Sequence, residues 1–499
     1  MNKEIKIGAL LQYIQMGLSI VISFLYTPLM LRILGQAEYG LYNLASSIIS
    51  YLSLLSLGFG ASYIRYHTIY KKQFPERLKN LNGLYLFVFT AVGVIVLIAG
   101  VFLSFNVSLF FNSTYTPHDI SVARVLMVFL SINLAISFPM SLFSSYVTSQ
   151  EKFIFQKLLN MGKTVLSPAI SIAALFLGYG SIGLVAVATL VSIIVDFVNV
   201  FYCFKKLRMR IALKNIEWGV FKDVFVFSLF IAINQIIDQI NWQTDKIILG
   251  KMISASAVSV YAIGSVFNTY YIQFSTAIST LFIPKINRIV VSDKCNQNME
   301  LTKLMTCVGR IQFFVLALIL LGFIFFGKPF IKLWAGPEYS ESYYVALLLM
   351  IPETIPLIQN IGIEIQRAKN KHQFRSIVYL AMAIINVGIS IGLVYRFGII
   401  GAAVGTAISL IVANMLIMNV YYHMKMKINM LYFWKNILAI FPALIIPIIS
   451  GILLSFVEID SILSLAGSVI TFSFIYVTSI FAFGLNQEEQ SAVKKVLKL

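Results

Sequence analysis

The sequence is poor in the residues that soluble proteins use for catalysis and for metal binding. Its 499 residues include three cysteines and four histidines, and neither set has the spacing of a disulfide framework or of metal ligands. No Gly-x-x-x-x-Gly-Lys-Ser/Thr phosphate-binding loop occurs, and no serine, histidine and aspartate form a catalytic pattern. These absences predict a chain without catalytic residues, without a metal or cofactor, and without its own ATPase.

Charged residues are also scarce. They make up 12% of the chain, whereas hydrophobic residues make up 59%; soluble domains have roughly 25% charged and 45–50% apolar residues. The composition therefore predicts an all-α membrane protein that crosses the bilayer many times. The net charge of +18 could suggest nucleic-acid binding, but the placement of the basic residues explains that charge without a nucleic-acid partner.

Apolar runs of about twenty residues or more recur along the whole chain, and an α-helix of that length crosses the hydrocarbon core. About fourteen transmembrane helices are predicted. The first six lie near residues 8–31, 39–64, 81–105, 121–146, 155–177 and 181–203. The next six lie near 223–249, 256–283, 304–326, 342–364, 375–395 and 399–421, and a last pair near 432–456 and 461–484.

The basic residues lie mostly on one side of these spans. If the N-terminus is cytoplasmic, 29 of the 38 lysines and arginines fall in cytoplasmic segments, five in outer segments and four within spans. Basic loops stay in the cytoplasm. The sequence therefore predicts a multi-pass membrane protein with both termini in the cytoplasm. The outer loops reach only about fifteen residues, which leaves no room for an outer catalytic domain.

A short motif that occurs twice indicates an internal repeat. Tyr179-Gly-x-Ile-Gly matches Phe397-Gly-x-Ile-Gly at an offset of 218 residues, and Tyr42 lies opposite Tyr261 at an offset of 219. Chance matches are common in apolar sequence, but similar offsets at two distant places favour a duplication. Parallel repeats are a transporter architecture. The predicted division is an N-terminal six-helix lobe (1–210), a parallel C-terminal six-helix lobe (211–425), and two extra helices with a cytoplasmic tail (426–499).

A polar stretch at residues 234–246 interrupts an apolar span in the middle of the chain. Its polar residues recur at steps of four, three and four, which places them on one helix face. They are Asn234, Asp238, Asn241 and Asp245, with Gln235, Gln239 and Lys246 to one side. An ionisable group at the bilayer centre is costly, so this face must contact a helix or a water-filled cavity. The stretch predicts a hydrated pathway, and the repeat places it at the interface between the lobes.

Four acidic residues are candidates for ion coupling. Asp238 lies about fifteen residues into its helix and hence near the membrane midplane, at 1.5 Å per residue. Asp245 lies closer to the outer end, Asp196 lies in the cytoplasmic half of the sixth span, and Glu353 lies on one face of the tenth. Asp238 could equally form a structural pair with a neighbouring side chain, and Asp245 could be interfacial.

Three groups of short motifs resemble those of the polysaccharide-transporter flippases. They are Thr27-Pro-Leu-Met-Leu-Arg-Ile-Leu-Gly35 with Glu38-Tyr-Gly-Leu-Tyr42, then Leu57-Gly-Phe-Gly60 with Arg65-Tyr66, and finally Asp245-Lys-Ile-Ile-Leu-Gly250 with Val258-x-x-Tyr261. That family belongs to the multidrug/oligosaccharidyl-lipid/polysaccharide exporter superfamily, with the multidrug and toxin extrusion transporters and the peptidoglycan-precursor flippase. The order of the motifs extends the resemblance over nearly the whole chain.

The resemblance implies a non-enzymatic flippase that carries an undecaprenyl-pyrophosphate-linked oligosaccharide from the inner to the outer leaflet by alternating access, coupled to an ion gradient. Peptidoglycan-precursor flippases carry more arginines deep in the first two helices. Here Arg32 and Arg65 lie near span ends, which argues against that precursor as the substrate. The implied partners are the lipid-linked oligosaccharide, membrane lipid, and a polysaccharide polymerase or glycosyltransferases.

Two alternatives remain open. A multidrug/cation antiporter of the same superfamily would use the deep acids Asp238 and Asp196. A membrane glycosyltransferase or polymerase would act on the same lipid carrier, although the short outer loops argue against it.

A lipid pyrophosphate needs basic ligands, and a glycan needs polar or aromatic ones. Basic candidates near the cytoplasmic ends of spans are Arg65, Lys163 and Arg310, and those nearer the outer side are Arg124 and Lys246. Each could instead extend to lipid headgroups. The glycan candidates are Asn241, Asn268 and Tyr271, although small polar groups also join helices in membranes.

Overall fold

The structure is a computed structural model that describes residues 3–214, 216, 218–292, 296–487 and 489–491. No β-strand occurs in these residues, which are mostly helical. Within the described residues, eleven helices are long and apolar enough to cross a bilayer. A helix satisfies its backbone hydrogen bonds within its own segment, as a hydrocarbon environment requires. The prediction of an all-α polytopic membrane protein is confirmed.

The chain packs as two compact units, Met1–Ser259 and Val260–Leu499. The first unit contains seven long helices and three short 3₁₀ segments in its described part. The helices are α1 (Lys3–Ser50), α2 (Phe59–Gln73), α3 (Leu78–Phe105), α4 (Pro117–Ser149), α5 (Phe153–Phe176), α6 (Gly180–Lys205) and α7 (Trp218–Met252). The 3₁₀ segments are Tyr51–Ser56, Pro75–Arg77 and Val107–Leu109.

Small residues allow α3 and α4 to pack closely. A Cβ on Gly93 would lie 2.5 Å from the carbonyl oxygen of Ala135, and one on Gly100 would lie 2.0 Å from the hydroxyl of Ser131. Helices in lipid associate through such close packing, because the surrounding hydrocarbon provides no hydrophobic driving force. Glycines of α3 therefore lie where α3 and α4 are in close contact.

The boundary between the units falls inside α8 (Ala255–Thr280). The later helices are α9 (Ile283–Val291), α10 (Gln297–Trp334), α11 (Ser342–Ile358), α12 (Asn360–Ala368), α13 (Gln373–Leu410), α14 (Asn419–Met424), α15 (Met430–Leu438), α16 (Phe441–Ser455) and α17 (Ile462–Ser479). Two π-helical segments, Ile411–Met418 and Ile480–Gly484, follow α13 and α17, and a 3₁₀ segment covers Pro337–Tyr339.

Helix α10 is central to the second unit. It packs against α11, α15, α16 and α17, and its Met305 and Val308 are fully buried in the same cluster as Phe433 of α15. Further along α10, Phe326 packs edge-on against Phe472 of α17. The last helices of the chain are therefore part of the second unit's core.

Two glycines interrupt helices that are much longer than a bilayer is thick. The candidate spans Leu10–Gln73 and Gln373–Met424 contain 64 and 52 residues, whereas about 20 suffice to cross the hydrocarbon core. Gly35 has φ 74° and ψ 173° inside α1, and Gly398 has φ 58° and ψ −135° inside α13. These positive φ angles favour glycine, so each long helix consists of two segments.

The division into packing units differs from the predicted division into lobes. Helix α7 was predicted to be the first helix of the C-terminal lobe, and it packs against α1 and α2 within the first unit. Packing units report which helices touch, whereas the lobes describe a duplication. The boundaries at residues 210 and 425 therefore stay a prediction.

Candidate functional site

A polar cavity of about 400 Å³ lies within the first unit. Segment 51–56, α4 and α7 form its walls. Its polar lining consists of four serines, two glutamines and one carboxylate: Ser53, Ser56, Ser137, Ser141, Gln235, Gln239 and Asp238. The two serines of α4 flank Pro139, which has no N–H and so removes one backbone hydrogen bond of that helix.

Serines recur at every third residue where α1 ends and the 3₁₀ segment begins. The four positions are Ser47, Ser50, Ser53 and Ser56, and residues 51–56 are a 3₁₀ helix. Side chains at i and i+3 eclipse each other in a 3₁₀ helix, which has three residues per turn. The serine row therefore faces one direction, toward α7.

The glutamines of α7 bind this serine row. Ser47 Oγ donates to Gln243 Oε1 at 3.0 Å, and Ser56 Oγ donates to Gln235 Oε1 at 3.3 Å. Between them, Gln239 accepts from Ser50 Oγ at 3.2 Å and donates to Ser53 Oγ at 3.2 Å. We call this set the serine–glutamine row. It holds α7 against residues 47–56.

The polar stripe predicted on α7 has two parts in the structure. Gln235 and Gln239, predicted at its side, make the contacts with the serine row, together with Gln243. Asp238 is exposed and lines the cavity. The expectation that the stripe contacts a helix and a cavity therefore fits the geometry, and the contacting helix lies within the same packing unit.

The outer part of the stripe is more enclosed. Asp245 is 2% exposed and interacts electrostatically with Tyr51, whose hydroxyl hydrogen-bonds Thr244. Lys246 and Asn241 are partly buried. These positions suit a structural or gating role for Asp245, and no described geometry assigns Lys246 or Asn241 a ligand.

Three of the basic candidates lie on aromatic rings, and two of these are Arg65 and Arg124. The guanidinium carbon of Arg65 is 4.5 Å from the ring centroid of Phe227 on α7, and that of Arg124 is 5.7 Å from the ring centroid of Phe105. Both arginines are exposed. Cation–π contact leaves the donors of a guanidinium available for an anion. Arg65 belongs to α2, and its ring partner Phe227 belongs to α7, the helix that also carries Gln235, Asp238 and Gln239 of the cavity.

Lys163 and Asp196 form a charge pair between α5 and α6. The ammonium of Lys163 interacts electrostatically with the carboxylate of Asp196, and both side chains are partly buried. Neither residue lines the polar cavity.

Arg310 is occupied by contacts within the second unit. It is 5% exposed and makes a two-pronged salt bridge with Glu489, at 2.7 and 2.8 Å. It also donates to the carbonyl oxygens of Asn436, at 2.6 Å, and Gly484, at 2.8 Å, and its guanidinium carbon is 5.5 Å from the ring centroid of Phe314. In this conformation the guanidinium joins α10 to the end of the chain, and a pyrophosphate ligand would have to displace Glu489.

The remaining candidates lie inside the second unit. Tyr271 is buried, and its hydroxyl is 2.7 Å from Thr354 Oγ1. Near it, Gln312 Nε2 donates to Ser275 Oγ at 2.9 Å, and Asn360 Nδ2 donates to the same oxygen at 3.0 Å. Tyr271 thus packs in a polar network of α8, α10, α11 and α12 within the second unit.

Two members of this region have buried atoms without partners. Asn268 is 0% exposed, and neither its Oδ1 nor its Nδ2 has a hydrogen-bond partner among the described residues. Glu353 is 8% exposed, and its Oε2 likewise has none within the described part of the chain. Most buried polar groups in proteins are hydrogen-bonded, so these two side chains are exceptions within the described residues.

Sequence reasoning missed the serine row and the serines of α4. The signal for the row was its repeat of three, since a step of three drifts around an α-helix but stays aligned in a 3₁₀ helix. Ser137 and Ser141 are separated by four residues on either side of Pro139, and this spacing was visible as well. Gln312 carried no comparable pattern.

The model of the family described as "Polysaccharide biosynthesis protein" matches residues 29–344, which is more than half of the chain. The chain belongs to this family. The predicted resemblance to a family of polysaccharide-handling membrane proteins is confirmed by this match.

Two relatives match most of the chain. The "Putative O-antigen transporter" of Shigella flexneri is 23% identical over 397 residues, which cover 79% of this chain and 92% of the relative. The "Uncharacterized membrane protein EpsK" of Bacillus subtilis (strain 168) is 24% identical over 506 residues, which cover 96% and 95%.

Solved structures share the fold. The lipid II flippase MurJ in an inward closed conformation has a TM-score of 0.74 at 14% identity and covers 96% of this chain and 98% of that one. An inward-facing multidrug resistance transporter of the MATE family has a TM-score of 0.60 at 14% identity, with coverage of 84% and 95%. At such identities the likeness establishes the fold alone.

Proposed function

We propose that this polysaccharide flippase carries an undecaprenyl-pyrophosphate-linked oligosaccharide from the inner to the outer leaflet of the bacterial cytoplasmic membrane, for surface polysaccharide synthesis. The observation that carries the proposal is the polar cavity beside α7. Serine and glutamine side chains both donate and accept hydrogen bonds. Such a lining suits the hydroxyl groups of a glycan that passes through an otherwise apolar helix bundle.

We place the pyrophosphate site outside this cavity, because the only charged group among its lining residues in the described chain is the carboxylate of Asp238. Arg65 is our first choice for the ligand. It is exposed, no salt bridge to it occurs in the described part of the chain, and it lies on Phe227. Phe227 precedes Gln235 by eight residues, or about 12 Å along a helix. A headgroup on Arg65 would therefore be within reach of a glycan in the cavity.

The test of this proposal is transport of a lipid-linked oligosaccharide into the lumen of proteoliposomes. Arg65→Ala combined with Lys163→Ala should abolish transport and leave membrane insertion intact. The matched control is Lys72→Ala with Lys205→Ala, because both of these lysines are exposed and the double change removes the same charge. In cells, deletion of the gene should leave lipid-linked glycan on the inner leaflet. Transport at the normal rate by the Arg65/Lys163 variant would refute the pyrophosphate site.

A cation antiporter is the second candidate, and Asp238 is the observation that favours it. A carboxylate that lines a cavity suits an organic cation. Asp238→Asn distinguishes the two functions: it should abolish export of a cationic dye if the protein is an antiporter, whereas export of the glycan depends on the serines and glutamines.

We further propose ion coupling through Glu353. The residue lies in α11 between Pro352 and Pro356, where the backbone lacks two N–H groups and can bend. Its carboxyl is buried and lies near the hydroxyl of Tyr271. When a buried carboxyl gains or loses a proton, the charge on its helix changes. Protonation of Glu353 can thereby shift α11 between a straighter and a more bent conformation.

The coupling proposal is tested by imposing a proton or a sodium gradient on the same proteoliposomes. Glu353→Gln should remove the acceleration by a pH gradient and preserve the rate without a gradient. Asp238→Asn is the comparison variant, since Asp238 is exposed to the cavity. If Glu353→Gln still responds fully to both gradients, Glu353 does not couple transport to either ion.

We propose fourteen membrane crossings in two parallel six-helix lobes with a final pair, and cytoplasmic termini. Three additions to the eleven apolar helices support that number. The two long spans each become two crossings if they are divided at Gly35 and Gly398, and α8 adds one more. Gly180 and Gly398, which correspond in the predicted repeat, both have positive φ, 55° and 58°. Labelling of cysteines placed in successive loops would test the topology.

We also propose a polysaccharide polymerase or glycosyltransferases as partners of the protein. Crosslinking in cells would test this proposal.

A further inference from the structure

A second concave site lies in the second unit, between the start of α13 and the end of the following π-helix and α14. Its volume is about 720 Å³, which is within the range of about 300–1,000 Å³ typical of ligand sites. We call it the α13–α14 groove. Its lining includes Lys371, Phe374, Leu416, Val420, Met424 and Lys425. The apolar members are exposed, with 56% for both Leu416 and Val420 and 67% for Met424.

The π-helix Ile411–Met418 shapes one wall of this groove. Asparagines hold the wider turn: Asn414 Nδ2 donates to Leu410 O at 3.0 Å, and Asn419 Nδ2 donates to Asn414 O at 2.7 Å. Tyr379 of α13 donates to Asn414 Oδ1 across the helix pair. Short π-helical turns occur often at functional sites. The wall is therefore built by specific side chains.

The lysine end of the groove is also fixed in place. Phe374 stacks on Tyr421, with ring centroids 4.2 Å apart and planes at 11°. The hydroxyl of Tyr421 donates to the carbonyl oxygen of Lys371 at 3.2 Å. These contacts place Lys371 next to α14, whose C-terminal neighbour is Lys425.

The surroundings of the groove are basic. The two segments that carry its lysines, residues 365–375 and 422–435, contain seven lysines and arginines and no aspartate or glutamate. The α13–α14 groove is apolar along its length and has cations at one end, which matches a lipid chain with an anionic headgroup. Basic sites between transmembrane helices at the cytoplasmic face recognise such headgroups.

We infer that the α13–α14 groove binds an anionic phospholipid of the cytoplasmic leaflet. Its phosphate lies between Lys371 and Lys425, and an acyl chain lies along Leu416, Val420 and Met424. The inference rests on the proposed function only for the choice of leaflet, because lipid binding does not require transport.

The lining favours a phospholipid over the transported substrate. Among the lining residues in the described chain, none is an amide, a carboxylate or a serine, and the one tyrosine hydroxyl donates to Lys371. A glycan headgroup would find no partners there, whereas a phosphate needs only the two ammonium groups.

The experiment measures the lipids that the full-length protein retains in detergent micelles, by native mass spectrometry, after titration with phosphatidylglycerol, phosphatidylcholine or undecaprenyl phosphate. Lys371→Gln with Lys425→Gln should weaken phosphatidylglycerol binding about 30-fold, since each lysine near an anionic lipid contributes about 1 kcal/mol. Phosphatidylcholine should bind weakly to every variant. Met424→Gln tests the apolar half of the groove, and it should weaken the binding of phosphatidylglycerol as well.

Lys205→Gln with Lys206→Gln is the matched control. Both lysines are exposed at the end of α6. The double substitution removes the same charge at positions distant in sequence from the groove. It should retain phosphatidylglycerol. Equal loss in this control would mean that general interfacial charge attracts the lipid, and full retention by the Lys371/Lys425 variant would exclude the groove. Preferential retention of undecaprenyl phosphate would overturn the assignment to a phospholipid and make the groove a carrier-lipid site. Each of these lipid results stands whether or not glycan transport is observed.

Discussion

Glu38 caps the start of α6 through Ser181. Its Oε1 accepts hydrogen bonds from both the backbone nitrogen and the hydroxyl of Ser181, each at 2.7 Å. The first N–H groups of a helix have no partner within the helix, and a carboxylate there also interacts favourably with the helix dipole. Glu38 belongs to one of the motifs that carry the family resemblance. That motif therefore includes a residue that fixes one helix to the beginning of another.

Removing this cap should destabilise the first unit. Glu38→Ala deletes an acceptor of two hydrogen bonds, and hydrogen bonds to charged groups contribute about 1.5–3 kcal/mol. We expect a lower midpoint of thermal unfolding in detergent. Glu76→Ala, at an exposed site, is the control and should change the free energy of unfolding by less than about 0.5 kcal/mol. Equal midpoints for the Glu38 variant and the unaltered protein would contradict the cap.

Weakening the serine–glutamine row should open the cavity. Gln239→Leu removes two hydrogen bonds, and interhelical hydrogen bonds in membranes contribute about 0.6 kcal/mol each. With Cys203, Cys295 and Cys307 replaced by alanine, a cysteine introduced by Ser137→Cys should react roughly sevenfold faster with a soluble maleimide. Gln373→Leu, at the exposed start of α13, should not change the rate. An unchanged rate in the Gln239 variant would show that the row does not control access.

The salt bridge between Arg310 and Glu489 should stabilise the second unit more than its exposed counterpart. The Arg310 and Glu489 side chains are 6% and 12% exposed, and loss of one partner of a buried pair costs about 3–5 kcal/mol. Glu489→Gln should therefore lower the unfolding midpoint strongly. Glu364→Gln breaks the pair with Arg367, which is 63% exposed, and should cost about 0–1 kcal/mol. Similar shifts for the two variants would exclude a role of the tail in stability.

We expect the amide of Asn268 to lower the stability of the protein. Its amide is buried without a partner among the described residues, and burial of such a group costs about 1–3 kcal/mol. Asn268→Leu should therefore raise the unfolding midpoint and slow glycan transport, because it removes a polar group from the predicted glycan path. Thr276→Leu, which changes an exposed residue of the same helix, serves as the control. A lower midpoint in the Asn268 variant would mean that its amide is hydrogen-bonded.

The predicted stripe illustrates what spacing can and cannot reveal. Steps of four and three placed Asp238 correctly on a polar face of α7, because an α-helix has a fixed repeat. The partner of that face was not predictable in the same way. Ser53 and Ser56 continue the line of Ser47 and Ser50 because the chain turns from an α-helix into a 3₁₀ helix at Tyr51.

Arg310 illustrates the other limit. A basic residue in a span predicts either an anionic ligand or a partner within the protein, and the sequence does not choose between them. Glu489 is 179 residues away along the chain. Only a folded second unit brings the two side chains together, so this candidate could not be separated from Arg65 by sequence reasoning.

The sequence by itself determined the polytopic helical fold, the family and the presence of polar faces within the membrane. These follow from composition, run length and helical periodicity, which are local properties. The tertiary structure decided which polar side chains meet: the glutamines of α7 with the serine row, and Arg310 with Glu489. Hydrogen bonds and ion pairs need atoms within about 3–4 Å, and only the packing of distant helices sets such distances.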